Sequence, residues 1–331
     1  MVLERDSSLL GYPGETSKAL DADHHGVCKF PNPQDPNYIT VRNVLKSLVG
    51  KSISASQSGR PSIPNRRRSR DLKAILAITE FPDIDYIFFR DQWANGTSQW
   101  IHEEQAFVDW LSLQTPPQQL LWLKGGAARG KSVLSSFIIN SLIERGLSCQ
   151  YFFIRFGDRK KRTLGLLLRS IAYQIAQQLP TFLQKILELE DEALDLEAAN
   201  PRTIWDRIFR SILFKLNASK TLYWVIDGLD EADDSRALLK LISDITMSAI
   251  PIRVLLVSRD TTEIAASLEK ISSNMRQGVI TIEGHLEDLR CYVSQELELS
   301  TTGDFKDKIV KRILDGARNN FLVSQASTFR L

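Results

Sequence analysis

The chain has 331 residues, 43% of them hydrophobic and 25% charged, with a formal net charge of +2. This is ordinary for a soluble globular protein, and the near-neutral charge excludes a global electrostatic pull toward nucleic acid or membrane. Three widely spaced cysteines, Cys28, Cys149 and Cys291, argue against a disulfide framework or a Cys-based metal site.

Residues 1–50 are loop-rich, with Pro13, Gly14, Pro31, Pro33 and Pro36 interrupting any long element. The segment after Met1 has no apolar signal core, and no run of about 18 apolar residues exists to cross a membrane, so a cytoplasmic protein is expected. The sequon Asn95-Gly-Thr97 then marks only a turn. Residues 51–74 form a Ser/Pro/Arg segment expected as a disordered linker. Its Arg66–Arg70 cluster is read as a solvated basic stretch, against a nuclear address or a phosphate-contacting patch.

From about residue 71 the pattern becomes regular, and residues 75–284 are expected to form the main domain. Apolar runs predict strands over Leu120–Lys124, Cys149–Phe156, Thr221–Ile226, Ile252–Val257 and Val279–Ile282. Helical periodicity covers Ser132–Arg145, Leu164–Ile175, Ile204–Leu216, Leu239–Met247 and Thr262–Leu268, with further helices near 286–297 and 305–323. Apolar strands alternating with helices predict an α/β fold, a parallel sheet with helices on both faces. No internal repeat is visible.

The segment Gly125-Gly126-Ala127-Ala128-Arg129-Gly130-Lys131-Ser132 follows a predicted strand and opens a predicted helix, the context a phosphate-binding loop requires. Glycines let backbone N–H groups approach phosphate oxygens, and the helix N-terminus adds partial positive charge. Lys131 is expected to reach the β- and γ-phosphates, and Ser132 to ligate Mg²⁺. Ala128 restricts the backbone more than glycine would. Arg129 either adds charge to the phosphates or points to solvent.

The run Leu222-Tyr-Trp-Val-Ile-Asp227-Gly-Leu-Asp230-Glu231 delivers Asp227 to the C-terminal edge of a buried strand, where ligands of open α/β sheets bind. Asp227 is the candidate Mg²⁺ residue. Asp230 and Glu231 are the candidate catalytic pair that orients or deprotonates water, with Glu231 preferred. The bland alternative is an acidic cluster that complements a helix dipole. Ser258-Arg259 ends the next strand, and Arg259 is a candidate γ-phosphate contact; a surface arginine at the strand end is the alternative.

These three motifs resemble those of a NACHT-type STAND NTPase. Thr97-Ser-Gln-Trp100 with Phe107 and Trp110, Tyr151-Phe-Phe153, Arg162-Thr163 and Leu168-Arg-Ser-Ile-Ala-Tyr173-Gln174 resemble the nephrocystin-3-like N-terminal domain of fungal NOD-like receptors. The likeness spans roughly residues 75–325. It implies a nucleotide-driven switch, ADP-bound and closed, ATP-bound and open to self-association. Residues 75–284 would be the NTPase domain and 285–331 the start of a truncated helical domain, since Ala317-Arg-Asn-Asn-Phe321-Leu322 resembles that family's helix and Ser324–Leu331 then diverges. Ser7-Ser-Leu-Leu-Gly-Tyr, Ala22-Asp-His24, Cys28-Lys-Phe30 and Asp35-Pro-Asn-Tyr38 resemble the last segment of a serine α/β-hydrolase domain, here residues 1–50. The chain has no Gly-x-Ser-x-Gly nucleophile elbow, so His24 is expected to be a relic and no esterase activity is expected.

The expected function is an ATP/ADP-binding, Mg-dependent switch with slow or no hydrolysis. Alternatives are an active ATPase and a truncated scaffold with a dead site, for which the acidic Glu188–Glu197 stretch would serve protein contacts. Self-association or signalling proteins are the expected partners, with no nucleic acid and no membrane. The absence of an Asn-Lys-x-Asp segment leans toward adenine over guanine.

Overall fold

The computed structural model describes residues 72–112, 118–189, 195–218, 220–283 and 285–296, with Arg42 and Arg312 in isolation. Apart from Arg42, all lie in the compact unit Arg70–Leu331. The hydrolase-like segment with His24, most of the expected linker, and the expected helix over 305–323 fall outside the described residues. The packed unit starts inside the segment expected as linker: residues 72–75 are helical, and Leu72 and Leu76 are buried in the core.

Five strands form one parallel sheet: β1 (Leu120–Gly125), β2 (Ser148–Phe153), β3 (Leu222–Asp227), β4 (Ile252–Ser258) and β5 (Gln277–Ile282). Their order is β2-β3-β4-β1-β5. Register is fixed through pairs such as Phe153↔Asp227, Asp227↔Val257 and Lys124↔Ser258, so the C-terminal ends of β1, β3 and β4 finish level. The side-chain alternation of a strand divides the core between the two faces. Trp122, Phe152, Trp224 and Leu256 pack on one face, and Leu121, Leu123, Tyr151, Val225 and Val257 on the other.

The helices follow from strand order and handedness. A parallel crossover is right-handed, so reversing direction along the sheet moves the connecting helix to the other face. From β1 the chain runs to the far edge at β2, and the intervening α3 (Lys131–Glu144) packs beside α1 (Asp83–Arg90) and α2 (Gln105–Leu111). It then returns through β3 and β4 and passes on to β5. Accordingly α4 (Leu164–Gln178), α5 (Pro180–Glu188), α7 (Ser235–Ile242) and α8 (Thr262–Ser272) cover the opposite face. Asp234 caps α7 by accepting from Ala237 N at 2.8 Å, and Thr261 caps α8. The last described helix, α9, is Leu286–Glu296.

The helix expected over Ile204–Leu216 is broken. A short α6 (Pro201–Ile204) passes into a π-helical turn, Trp205–Arg210, and a 3₁₀ turn, Leu213–Lys215. Within this stretch Trp205 stacks on Phe209 at 4.7 Å and meets Phe214 and Trp224 edge-on. The helix expected to begin at Leu239 begins at Ser235, and a 3₁₀ turn covers Ser243–Met247. β2 ends at Phe153 rather than Phe156, because the chain turns away once Ile154 N donates to Asp227 O.

Candidate functional site

The phosphate loop forms where β1 meets α3. Gly125 lies against β5, and a Cβ there would sit 3.0 Å from Ile282 Cβ and 3.1 Å from its carbonyl oxygen. Gly130, at the N-cap of α3, has φ 73°, and Ala128 has φ 56°. Ala128 is thus held in the left-handed region that L-residues avoid. Lys131 folds back over the loop, with Nζ donating to Gly126 O at 2.6 Å. Burial holds its ammonium below the usual lysine range, an effect that Asp230 and Asp227 oppose and Arg259 reinforces.

Asp227, the last residue of β3, is 4% exposed. Its Oδ2 accepts from Ser132 Oγ at 2.6 Å, and its Oδ1 accepts from Ser135 Oγ at 2.9 Å. Burial pushes its carboxyl up to about 6, against the opposing pull of the two serine hydroxyls and Lys131. Ser135 was not singled out in the sequence. Its position one turn after Ser132 on α3 is the signal that would have found it.

Gly228 turns the chain beyond Asp227. Its φ is +78°, and a Cβ there would lie 2.5 Å from Ile154 O, so only glycine fits. Its N–H donates to Val257 O at 3.0 Å, anchoring the turn to β4. The following 3₁₀ turn, Leu229–Glu231, sends its two carboxylates in different directions. Asp230 meets Arg259: Oδ1 accepts from the Arg259 backbone N–H at 2.9 Å, and Oδ2 faces the guanidinium Nε at 3.3 Å. Glu231 meets the loop after β2, accepting from Phe156 N–H at 2.5 Å. Both candidate catalytic carboxylates are therefore already engaged.

Lys131, Ser132, Asp227, Asp230, Glu231 and Arg259 line one cavity of about 950 Å³. Ala127, Ala128, Arg129 and Gly130 also line it, whereas Gly125 and Gly126 shape the loop from behind. The cavity extends to a wall the sequence did not reveal. There Trp100 stacks on His285 at 3.8 Å, and Asp288 Oδ2 on α9 accepts from Ser98 N at 2.9 Å and Trp100 Nε1 at 3.1 Å. On another side Asp85 of α1 pairs with Lys161 at 2.7 Å and lies 3.9 Å from Arg155.

Among the described residues no group of three or more His, Cys, Asp or Glu is placed to hold a metal. The oxygen pair Ser132–Asp227 nevertheless suits Mg²⁺, which takes few protein ligands and completes its shell with water and phosphate oxygens. No helix among the described residues is long and apolar enough to cross a membrane.

Residues 96–259 match the family described as Nephrocystin 3, N-terminal. The nephrocystin-type segment opens at Gly96 in the turn before Trp100 and closes on Arg259, so it contains every candidate site residue. Together with the phosphate loop and the acidic strand end, the match supports a NACHT-like NTPase. Vegetative incompatibility protein HET-E-1 of Podospora anserina is 29% identical over 183 residues, which is 54% of this chain and 13% of that protein. The chain thus spans a small part of that relative's length. Among solved structures, Aeropyrum pernix ORC1 in complex with DNA aligns at TM-score 0.42 and 13% identity, covering 78% of this chain and 64% of that one. Drosophila ORC bound to GC-rich DNA and Cdc6 aligns at TM-score 0.40 and 14% identity, covering 96% and 44%. The family match gives no support to the hydrolase remnant expected over residues 1–50.

Proposed function

We propose that this chain binds ATP and ADP with Mg²⁺ at the Gly125–Ser132 loop and acts as a STAND-type switch with slow hydrolysis. The observation that carries the reading is the 2.6 Å hydrogen bond between Ser132 Oγ and Asp227 Oδ2. It brings the hydroxyl of the phosphate loop onto the acid of the neighbouring motif, where the two oxygens would share a cation. Mg²⁺ would supply positive charge to the phosphates there. Lys131 supplies a second cation and the N-terminus of α3 a partial one.

Slow hydrolysis fits the engagement of both downstream carboxylates, Asp230 by Arg259 and Glu231 by Phe156 N–H. A water-activating base must first give up such a bond. The likeness to a fungal incompatibility protein supports a role in NOD-like receptor signalling or self/non-self recognition, in the cytoplasm, with self-association or signalling proteins as partners. The small net charge of +2 supports a function without nucleic acid.

Isothermal titration of ATP and ADP with and without Mg²⁺ tests this. Lys131→Ala should lose tight binding of both nucleotides, and an unchanged affinity would sink the site assignment. Turnover well above about 1 s⁻¹, within the ordinary enzyme range, would replace the switch with an active ATPase.

A further inference from the structure

We infer that Asp230 is a positioning residue that holds Arg259 toward the phosphate site, and so sets the preference for triphosphate over diphosphate. The inference rests on the nucleotide-binding reading above. It differs from the sequence expectation, in which Asp230 handles the attacking water.

Three observations carry it. First, both oxygens of Asp230 serve one residue: Oδ1 takes the Arg259 backbone N–H at 2.9 Å and Oδ2 faces Nε at 3.3 Å. A carboxylate so placed fixes the start of the arginine side chain as well as its backbone. Second, beyond Asp230, the hydrogen bonds of Arg259 to the described residues are at its main chain. Its carbonyl accepts from Ser258 Oγ at 2.8 Å, and Ser258 Oγ in turn accepts from Trp122 Nε1 at 2.8 Å. The Arg259 side chain itself is 57% exposed, against 12% for Asp230. Without the carboxylate it would sample solvent and lose rotamer order. With Nε engaged, the outer nitrogens of the guanidinium fork remain for an anion.

Third, Arg259 and Lys131 line the same cavity. Two cations that converge without an anion repel, and a phosphate between them removes the repulsion. A γ-phosphate supplies that anion farther from the loop than a diphosphate does. Asp230 reaches this place because Gly228, in its left-handed turn against Ile154 O, admits no other residue.

The test is the ratio of ATP to ADP affinity in five proteins: wild type, Arg259→Ala, Asp230→Ala, Asp230→Asn and the Asp230→Ala/Arg259→Ala double variant. Loss of one charge-assisted contact corresponds to about a tenfold change. Arg259→Ala and Asp230→Ala should each weaken ATP about tenfold more than ADP, and the double variant should be no worse than either single one. Asp230→Asn, which keeps an acceptor for the backbone N–H, should fall between. Equal losses for ATP and ADP would make Asp230 merely structural and overturn the inference. Multiplicative losses in the double variant would do the same, as would lost hydrolysis with an intact ratio. In any of these cases tight wild-type binding preserves the nucleotide reading, whereas a wild type that binds neither nucleotide overturns that reading itself.

Discussion

Ser132 and Asp227 are hydrogen-bonded across the 95 positions that separate them in sequence, Oγ to Oδ2 at 2.6 Å, with Asp227 4% exposed. The bond satisfies a buried carboxylate that, on the proposed function, is kept for a cation rather than for stability. Asp227→Asn should therefore raise the thermal midpoint of the nucleotide-free protein while weakening Mg²⁺-dependent nucleotide binding at least about tenfold. A variant that melts lower and binds Mg–nucleotide normally would reverse the assignment.

The same carboxyl sets a pH dependence. Burial raises it from 3.8 to about 6 in the folded chain. Between those values the native state holds a proton that the unfolded chain has lost, so stability falls as pH rises through that window. The full cost, on the order of 3 kcal/mol at most, persists above it. Urea melts of wild type minus Asp227→Asn from pH 4 to pH 7 should show this fall. Mg²⁺ favours the ionised form, so metal-dependent affinity should weaken as pH drops below about 6.

Ala128 gives a gain-of-stability prediction. With φ 56° it occupies a region that disfavours a Cβ. Ala128→Gly should stabilise the folded chain by about 0.5–1 kcal/mol, after the added freedom of the unfolded chain is set against the relieved strain. Differential scanning calorimetry reads the change, and a lower midpoint would refute the strain.

Gly228 gives the opposite case. Gly228→Ala would place a Cβ 2.5 Å from Ile154 O at φ +78°. A loss of at least about 2 kcal/mol is expected, together with weakened ATP binding, because the turn carries both Asp230 and Glu231. Wild-type melting and binding would mean that the turn has other ways to close.

Asp288 tests the far wall. It accepts from Ser98 N and Trp100 Nε1, so Asp288→Ala leaves two part-buried donors without their acceptor. A cost of about 1–2 kcal/mol is expected, with faster amide exchange around Ser98 and in α9. Unchanged exchange at both places would show that this contact does not hold α9.

The sequence made some of this legible and not the rest, for physical reasons. The phosphate loop, the β3 acid and the five strands are local patterns, and they appear where expected, with ends that differ by a few residues at β2 and β5. Ser135 was within reach of the same reasoning, since one helical turn separates it from Ser132. The partners of Asp230 and Glu231 were not, because Arg259 and Phe156 lie just beyond the ends of different strands, β4 and β2, and their meeting depends on register. The helix over 204–216 failed for a related reason. Its apolar spacing is helical, yet Trp205 and Phe209 also pack on Trp224 of the sheet, a contact set by the tertiary fold.

Strand order also decides what in this domain is free to move. β4 lies between β1 and β3 and is laddered to both, so its end, Ser258, is a fixed mark on a ruler about 10 Å wide between the strand ends of β1 and β3. Sliding β4 by one residue would break two ladders at once and turn its buried faces inside out. On the proposed function, a signal that begins at a bound phosphate would pass through parts outside the strand ladders: side chains such as Arg259, the Asp230–Glu231 turn, and the helices that follow the strand ends. On that reading the sheet would measure the nucleotide and its fringe would report the measurement.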